Sequence, residues 1–371
     1  MKNIFLIIGT RPDAIKMAPI ILKFRENKKY RPIVIATAQH RQMLDQVLDV
    51  FQLKVDYDLN IMKKNQTLDD VTIEALRGIG QLMDQLEPVM TIVQGDTTTS
   101  FIGGLASFYR KIPVAHVEAG LRTYDLFQPF PEEGNRKLLD SIATLLFPPT
   151  EKSMENLLKE GVKKEQCFIS GNTAIDALLW VKEKYPLITI PEITSITNYQ
   201  KKRIILVTAH RRENFGKPFL EFIESLKIIA DRFEDILLIY PVHLNPNVND
   251  PVREKLSNHP RIVLLNPLNY PDFVSLMNHS TLILSDSGGV QEEAPALGKP
   301  VLVLRNVTER PEGVNAGACK IVGMNQEKIL DETTRLLTDQ KYYNNMAQVR
   351  YIYGNGKASE YIFQKAEEYL S

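Results

Sequence analysis

Cysteine is nearly absent: Cys167 and Cys319 are the only two in 371 residues, and they stand far apart. That excludes a disulfide framework and a zinc ribbon and suits a reducing cytoplasm. No His-x-x-His or His-Glu-x-x-His pair occurs, so no protein-bound metal is expected. An excess of one charge is missing too, since 45 Lys plus Arg balance 45 Asp plus Glu. This excludes a protein that grips nucleic acid through a broad positive field, and leaves room for a local cationic pocket. No apolar run approaches the roughly 18–20 residues of a membrane span, and the apolar start at residues 4–8 is too short for a signal segment. Gly-x-Gly-x-x-Gly, a Walker A loop and Gly-x-Ser-x-Gly are all missing. Bound NAD, ATP hydrolysis and serine-hydrolase chemistry therefore lack sequence support.

What is present is an ordinary globular composition, 44% apolar and 24% charged, on a chain long enough for two domains. Short apolar, β-branched runs recur at residues 4–9, 33–36, 89–94, 114–117, 143–147 and 167–170. They recur again at 204–208, 236–240, 262–265, 282–285, 301–304 and 320–323. Continuous apolar runs, rather than alternation, predict parallel strands covered on both faces. Amphipathic stretches such as 18–25, 43–51, 72–86 and 219–232 fill the intervals. The fold class is thus α/β, two doubly wound Rossmann-like domains in series. The expected division is 1–180, a Pro- and Thr-containing linker at 181–202, 203–350, and a C-terminal helix at 351–371 packing back on the first domain.

Ligands of such sheets sit beyond the carboxyl ends of the strands, so the residues following each run carry the functional information. The first run is followed by Gly9-Thr10-Arg11-Pro12-Asp13, with Lys16 one turn further, cations at a helix start that suit a phosphate. The plain alternative is a βα turn with solvated charges. Gly95-Asp96-Thr97 follows the third run, where Asp96 is either a functional carboxylate or only a helix cap. The fourth run contains His116, expected as a satisfied core histidine, and ends at Glu118. A Pro-rich loop then brings Glu132 and Arg136. Asp96, Glu118 and Glu132 at one sheet mouth need cations, for which Arg11, Arg122 and Arg136 are the candidates. In the second half, His210 and Arg211 follow one run and His243 follows the next. Ser287-Gly288-Gly289 opens a helix whose N–H groups suit a diphosphate, with Glu293 placed for ribose hydroxyls and Arg310 at the same rim.

Gly9-Thr10-Arg11-Pro12, Gln94-Gly95-Asp96-Thr97-Thr98-Thr99, His116-Val117-Glu118-Ala119-Gly120-Leu121-Arg122-Thr123, Pro131-Glu132-Glu133, His210-Arg211-Arg212-Glu213-Asn214 and Asp286-Ser287-Gly288-Gly289-Val290-Gln291-Glu292-Glu293 resemble, in order, the bacterial non-hydrolysing UDP-N-acetylglucosamine 2-epimerases. The resemblance implies a GT-B fold with two domains facing a cleft, a cytoplasmic homodimer, no cofactor, and UDP-N-acetylglucosamine and UDP as ligands. It implies catalysis by Asp96, Glu118, Glu132 and His210. It further implies substrate contacts from Arg11, Lys16, Arg136, Phe273, Ser287, Gly288, Gly289, Glu293 and Arg310, with Phe273 near the uracil. A second, activating substrate site would fall on Gln39, His40, Gln42, Glu132, Arg211 and His243. Two positions depart from the family pattern: Asn65 stands for an arginine and Asp13 for a glutamate. The implied chemistry is elimination of UDP to 2-acetamidoglucal and re-addition, serving surface polysaccharide synthesis. Neither nucleic acid nor membrane is expected as a partner.

Overall fold

The computed structural model describes residues 1–37, 41–61 and 66–371. Gln39, His40 and Asn65 lie outside the described residues, as does the side chain of Gln42. The described chain forms two compact units, one of residues 1–177 with 353–371, the other of residues 178–352.

The first unit is built on β1 (Lys2–Ile8), β2 (Tyr30–Ala36), β3 (Tyr57–Asp58), β4 (Met90–Gln94), β5 (Val114–Val117) and β6 (Leu145–Phe147), in the order β3-β2-β1-β4-β5-β6. The second is built on β7 (Arg203–Thr208), β8 (Ile236–Pro241), β9 (Ile262–Leu265), β10 (Ser280–Ser285), β11 (Val301–Val303) and β12 (Cys319–Ile321), in the order β12-β11-β10-β7-β8-β9. Every pairing in both sheets is parallel. Counted within each unit, the two orders are the same Rossmann-like winding, so both parts expected of a GT-B chain are present. Ile4 to Ile8 on β1 are buried without alternation because helices cover both faces. Phe5, Ile7, Ile33, Ile35 and Val93 anchor the first core, and Ile205, Val207, Leu282, Leu284 and Leu302 the second. Each such side chain contributes about 1.5–3 kcal/mol by leaving water.

Two local readings need correction. Residues 167–170 form no strand; Cys167 makes only an isolated bridge to Leu146. Tyr57–Asp58 pairs with Ile35–Ala36 at the sheet edge and gave no apolar run to read. Residues 181–202, expected as a linker, carry the end of helix Thr173–Lys184, a short helix Pro191–Thr194 and a 3-10 turn Tyr199–Lys201. They are part of the second unit.

The chain leaves the first unit through helix Thr173–Lys184 and re-enters it at Tyr353. There the Asn172 N–H donates to the Tyr353 carbonyl at 2.5 Å. A Cβ on Gly171 would stand 2.8 Å from the Gly354 Cα, which forces two glycines at this crossing. The Asp176 carboxylate accepts from the Ala358 and Ser359 N–H groups and the Ser359 hydroxyl, capping helix Ala358–Leu370. That helix packs Phe363 edge-on to Phe24, on helix Arg11–Glu26, with ring centroids 4.9 Å apart.

Candidate active site

In the first unit the winding reverses between β1 and β4, which opens a crevice at their carboxyl ends. Gly9-Thr10 and Gly95-Asp96 emerge there. Gly9 is required by packing, since a Cβ would stand 2.7 Å from the Thr99 Oγ1. Thr10 and Asp13 close a capping box on helix Arg11–Glu26. The Asp13 Oδ2 accepts from the N–H groups of Gly9 (3.2 Å) and Thr10 (3.0 Å) and from the Thr97 hydroxyl (3.4 Å), tying the two turns together.

Asp13 is buried, and the loss of water outweighs its hydrogen bonds and the nearby Lys16 charge, raising its pKa from 3.8 to about 6. A carboxyl held more tightly protonated in the folded state contributes stability at low pH that is lost as pH rises. The expected result is a fall in unfolding free energy relative to Asp13→Asn between about pH 4 and pH 6, with a constant difference above. Urea unfolding of both proteins across that range reads it; a constant difference throughout would contradict it.

Glu118 closes β5 with a left-handed backbone (φ 65°) and is buried. Its carboxylate accepts from the Lys16 ammonium at 2.6 and 2.7 Å, from the Asn172 amide at 3.0 Å and from the Gln94 amide. It is therefore a fixed anion that aims Lys16. Asp96 pairs through Oδ2 with the Arg136 guanidinium, and its carbonyl accepts from the Asn135 amide at 3.0 Å. Arg136 also meets Glu133 at 3.2 Å. Glu132 opens helix Glu132–Ile142, and its side chain makes no hydrogen bond or ion pair among the described residues. Arg11 is half-buried at the first turn of its own helix.

Three cations near the site carry ion pairs. Lys16, read as a phosphate ligand, has its ammonium on Glu118. Arg136, expected both as a cation for these carboxylates and as a substrate contact, lies on Asp96 as the first reading has it, and on Glu133. Arg122 reaches none of the three carboxylates and binds Asp140 (2.7 Å) and Glu160 (2.6 Å) instead. His116 is a core histidine as expected, fully buried between Asp140 and the Gly95 carbonyl.

The second unit reverses between β7 and β10 and presents His210 and Asp286-Ser287 at the corresponding place. The buried Asp286 Oδ2 accepts the N–H groups of His210 and Arg211, both at 2.8 Å. The His210 Nδ1 stands 3.3 Å from the other carboxylate oxygen. Burial alone would raise the Asp286 pKa, but His210 and the two N–H groups hold it below the ordinary value. His210 is exposed and stacks on His243 at 5.3 Å. Burial and the neighbouring His210 lower the His243 pKa. Neither histidine's partner Asp286 stood out in the sequence beyond its place in a longer motif.

Gly288 starts helix Gly288–Ala296, where the Arg310 guanidinium lies against its backbone; an added Cβ would meet the Arg310 Cζ at 2.7 Å. Arg310 is held by Glu292 at 2.5 Å and Glu309 at 3.0 Å. A helix start lined by Ser287, Gly288 and Gly289 with a guanidinium beside it has the chemistry to receive an anion. Glu293, one turn on, is buried and accepts the Tyr270 hydroxyl at 3.1 Å. Phe273 is half-buried on helix Tyr270–His279. Tyr270, which orients Glu293, was not among the expected site residues.

No helix among the described residues is long and apolar enough to cross a membrane. Among them, no group of three or more His, Cys, Asp and Glu is placed to hold a metal ion. A family model described as UDP-N-acetylglucosamine 2-epimerase matches residues 22–367. The chain is 50% identical to the curated UDP-N-acetylglucosamine 2-epimerase of Campylobacter jejuni, over 98% of this chain and 96% of that one. It is similar to the crystal structure of the Neisseria meningitidis UDP-GlcNAc 2-epimerase bound to UDP-GlcNAc, with TM-score 0.89, 45% identity and 99% and 100% of the chains covered. The Methanocaldococcus jannaschii UDP-GlcNAc 2-epimerase in complex with UDP-GlcNAc and UDP gives TM-score 0.79 at 34% identity, with 99% of each chain covered.

Proposed function

The chain belongs to the UDP-N-acetylglucosamine 2-epimerase family and has that activity, and we propose that it works by eliminating UDP and adding it back. The C2 proton of the sugar is not acidic enough for simple abstraction and return. In the proposed route a carboxylate takes the C2 proton while the C1–oxygen bond breaks, leaving 2-acetamidoglucal and UDP. The phosphate oxygen then re-forms its bond to C1, and C2 receives a proton on the opposite face. That sequence needs a base, an acid and cations for the departing diphosphate, and no net oxidant.

The observation that carries the proposal is the placement of Asp96 and Glu118 at adjacent strand ends, each against its own cation. Glu118 spends its oxygens on Lys16, Gln94 and Asn172, so we assign it to aiming the Lys16 charge. Asp96 and Glu132 have oxygens to spare for the proton. In the second unit Ser287, Gly288, Gly289 and Arg310 take the diphosphate, Glu293 the ribose hydroxyls and Phe273 the uracil. His210, Arg11 and Lys16 stabilise the leaving phosphate, and Arg211 and His243 belong to a second substrate site that activates the enzyme. We further propose a homodimer in the bacterial cytoplasm, with a product that feeds surface polysaccharide synthesis.

Incubation with UDP-N-acetylglucosamine in D2O without added NAD tests the route by NMR. The expected product is the manno epimer carrying deuterium at C2. Retention of the original hydrogen at C2 would point to transient oxidation, and free N-acetylmannosamine with UDP as the main products to hydrolysis; either result overturns the proposal.

A further inference from the structure

One buried carboxylate joins all three segments that bear the carboxylates of the site. Asp140 lies two turns along helix Glu132–Ile142, the helix that begins with Glu132. It is 3% exposed. Its Oδ1 meets the His116 Nδ1 at 2.6 Å, and the His116 Nε2 meets the Gly95 carbonyl at 2.8 Å, one residue before Asp96. Its Oδ2 accepts from the Gly120 N–H at 3.2 Å and from the Arg122 guanidinium at 2.7 Å, two and four residues after Glu118.

The charges favour a rigid node. Burial opposes ionisation of Asp140, but His116 and Arg122 outweigh it and hold its pKa below the ordinary carboxylate value. With a carboxylate at Nδ1 and a carbonyl at Nε2, the His116 ring is engaged at both nitrogens. A fully connected buried network of this kind restricts its members to one arrangement.

We propose that Asp140 is a positioning residue for the reaction, setting the Asp96 turn through His116 and the Glu118 turn through Gly120 and Arg122. The inference rests on the reading of Asp96 as a proton-handling carboxylate and of Glu118 as the anion that aims Lys16. Asp140 touches no substrate. It acts on the spacing between groups, where misplacement of about 1 Å costs on the order of 100-fold in rate.

The test is Asp140→Asn in the full-length enzyme, which keeps the shape and removes the charge. The expected result is a fall in kcat of about 10- to 100-fold with KM and UDP affinity within about threefold of wild type. Amide hydrogen exchange should rise at residues 95–97 and 118–121 and stay unchanged in residues 203–304. In the companion pair, His116→Gln keeps a donor for the Gly95 carbonyl and should retain more activity than His116→Leu. If Asp140→Asn does not fold, that pair decides. An Asp140→Asn enzyme with wild-type kcat, a joint loss of turnover and UDP binding, or equal activity of the two His116 variants overturns the proposal. Should the wild-type protein show no epimerisation, the functional reading fails by itself. The exchange pattern then still decides whether Asp140 sets the two turns.

Discussion

Asp96→Asn reduces kcat by about 1,000-fold while UDP binding stays within about threefold of wild type. The amide keeps the size of the carboxylate and can still accept from Arg136, so the turn after β4 retains its shape. Arg136 also keeps Glu133 as a charged partner. What disappears is the oxygen proposed to accept the proton, at the point where the winding reverses. Because the proposed nucleotide contacts lie in the other unit, calorimetric titration with UDP separates the two roles. C2 exchange in D2O should be lost together with turnover. Equal loss of UDP binding and turnover would make Asp96 a structural residue and remove it from the mechanism.

Glu118→Gln acts on folding as well as on rate. Lys16, Gln94 and Asn172 all donate to Glu118, so the amide removes the carboxylate that the ammonium faces and sets a donor against a donor. Loss of one partner from a buried ion pair costs about 3–5 kcal/mol. The Lys16 side chain keeps 21% of its surface exposed, so about 2 kcal/mol is expected here, with at least about a 100-fold loss of kcat. Urea unfolding and steady-state kinetics on the same preparation read both. A variant as stable as wild type but inactive would mean that Glu118 handles the proton itself; one that keeps both stability and activity would show that the anchor is dispensable.

The contrast between these residues explains what sequence reading reaches. Strands such as β1 and β10 were legible because burial on both faces demands unbroken apolar runs, and a run needs no partner to be seen. The edge strand Tyr57–Asp58 was not, since two residues have no pattern. Residues 167–170 had the pattern without the pairing. The same division holds in the site. Asp96, Glu118 and His210 announce themselves by following apolar runs. Which cation each one meets is a property of sheet order: Lys16 reaches Glu118 across 102 residues because β1, β4 and β5 are neighbours. Asp140 sits in an amphipathic helix with no local signal at all, and only the packing of that helix shows what it holds.

The return of the chain at Tyr353 bears on how the protein is made. Helix Ala358–Leu370 supplies Phe363 to the cover over Phe24 and Tyr30, and Glu367 to Lys29. A ribosome finishes all of residues 178–352 before it makes that helix. Domains usually fold as units in order of synthesis, the earlier one first. Here the first unit gains the cover over Phe24 and Tyr30 only after residues 178–352 have been made. Until that helix emerges, the apolar patch around Phe24 is the surface of the first unit that a chaperone would find open.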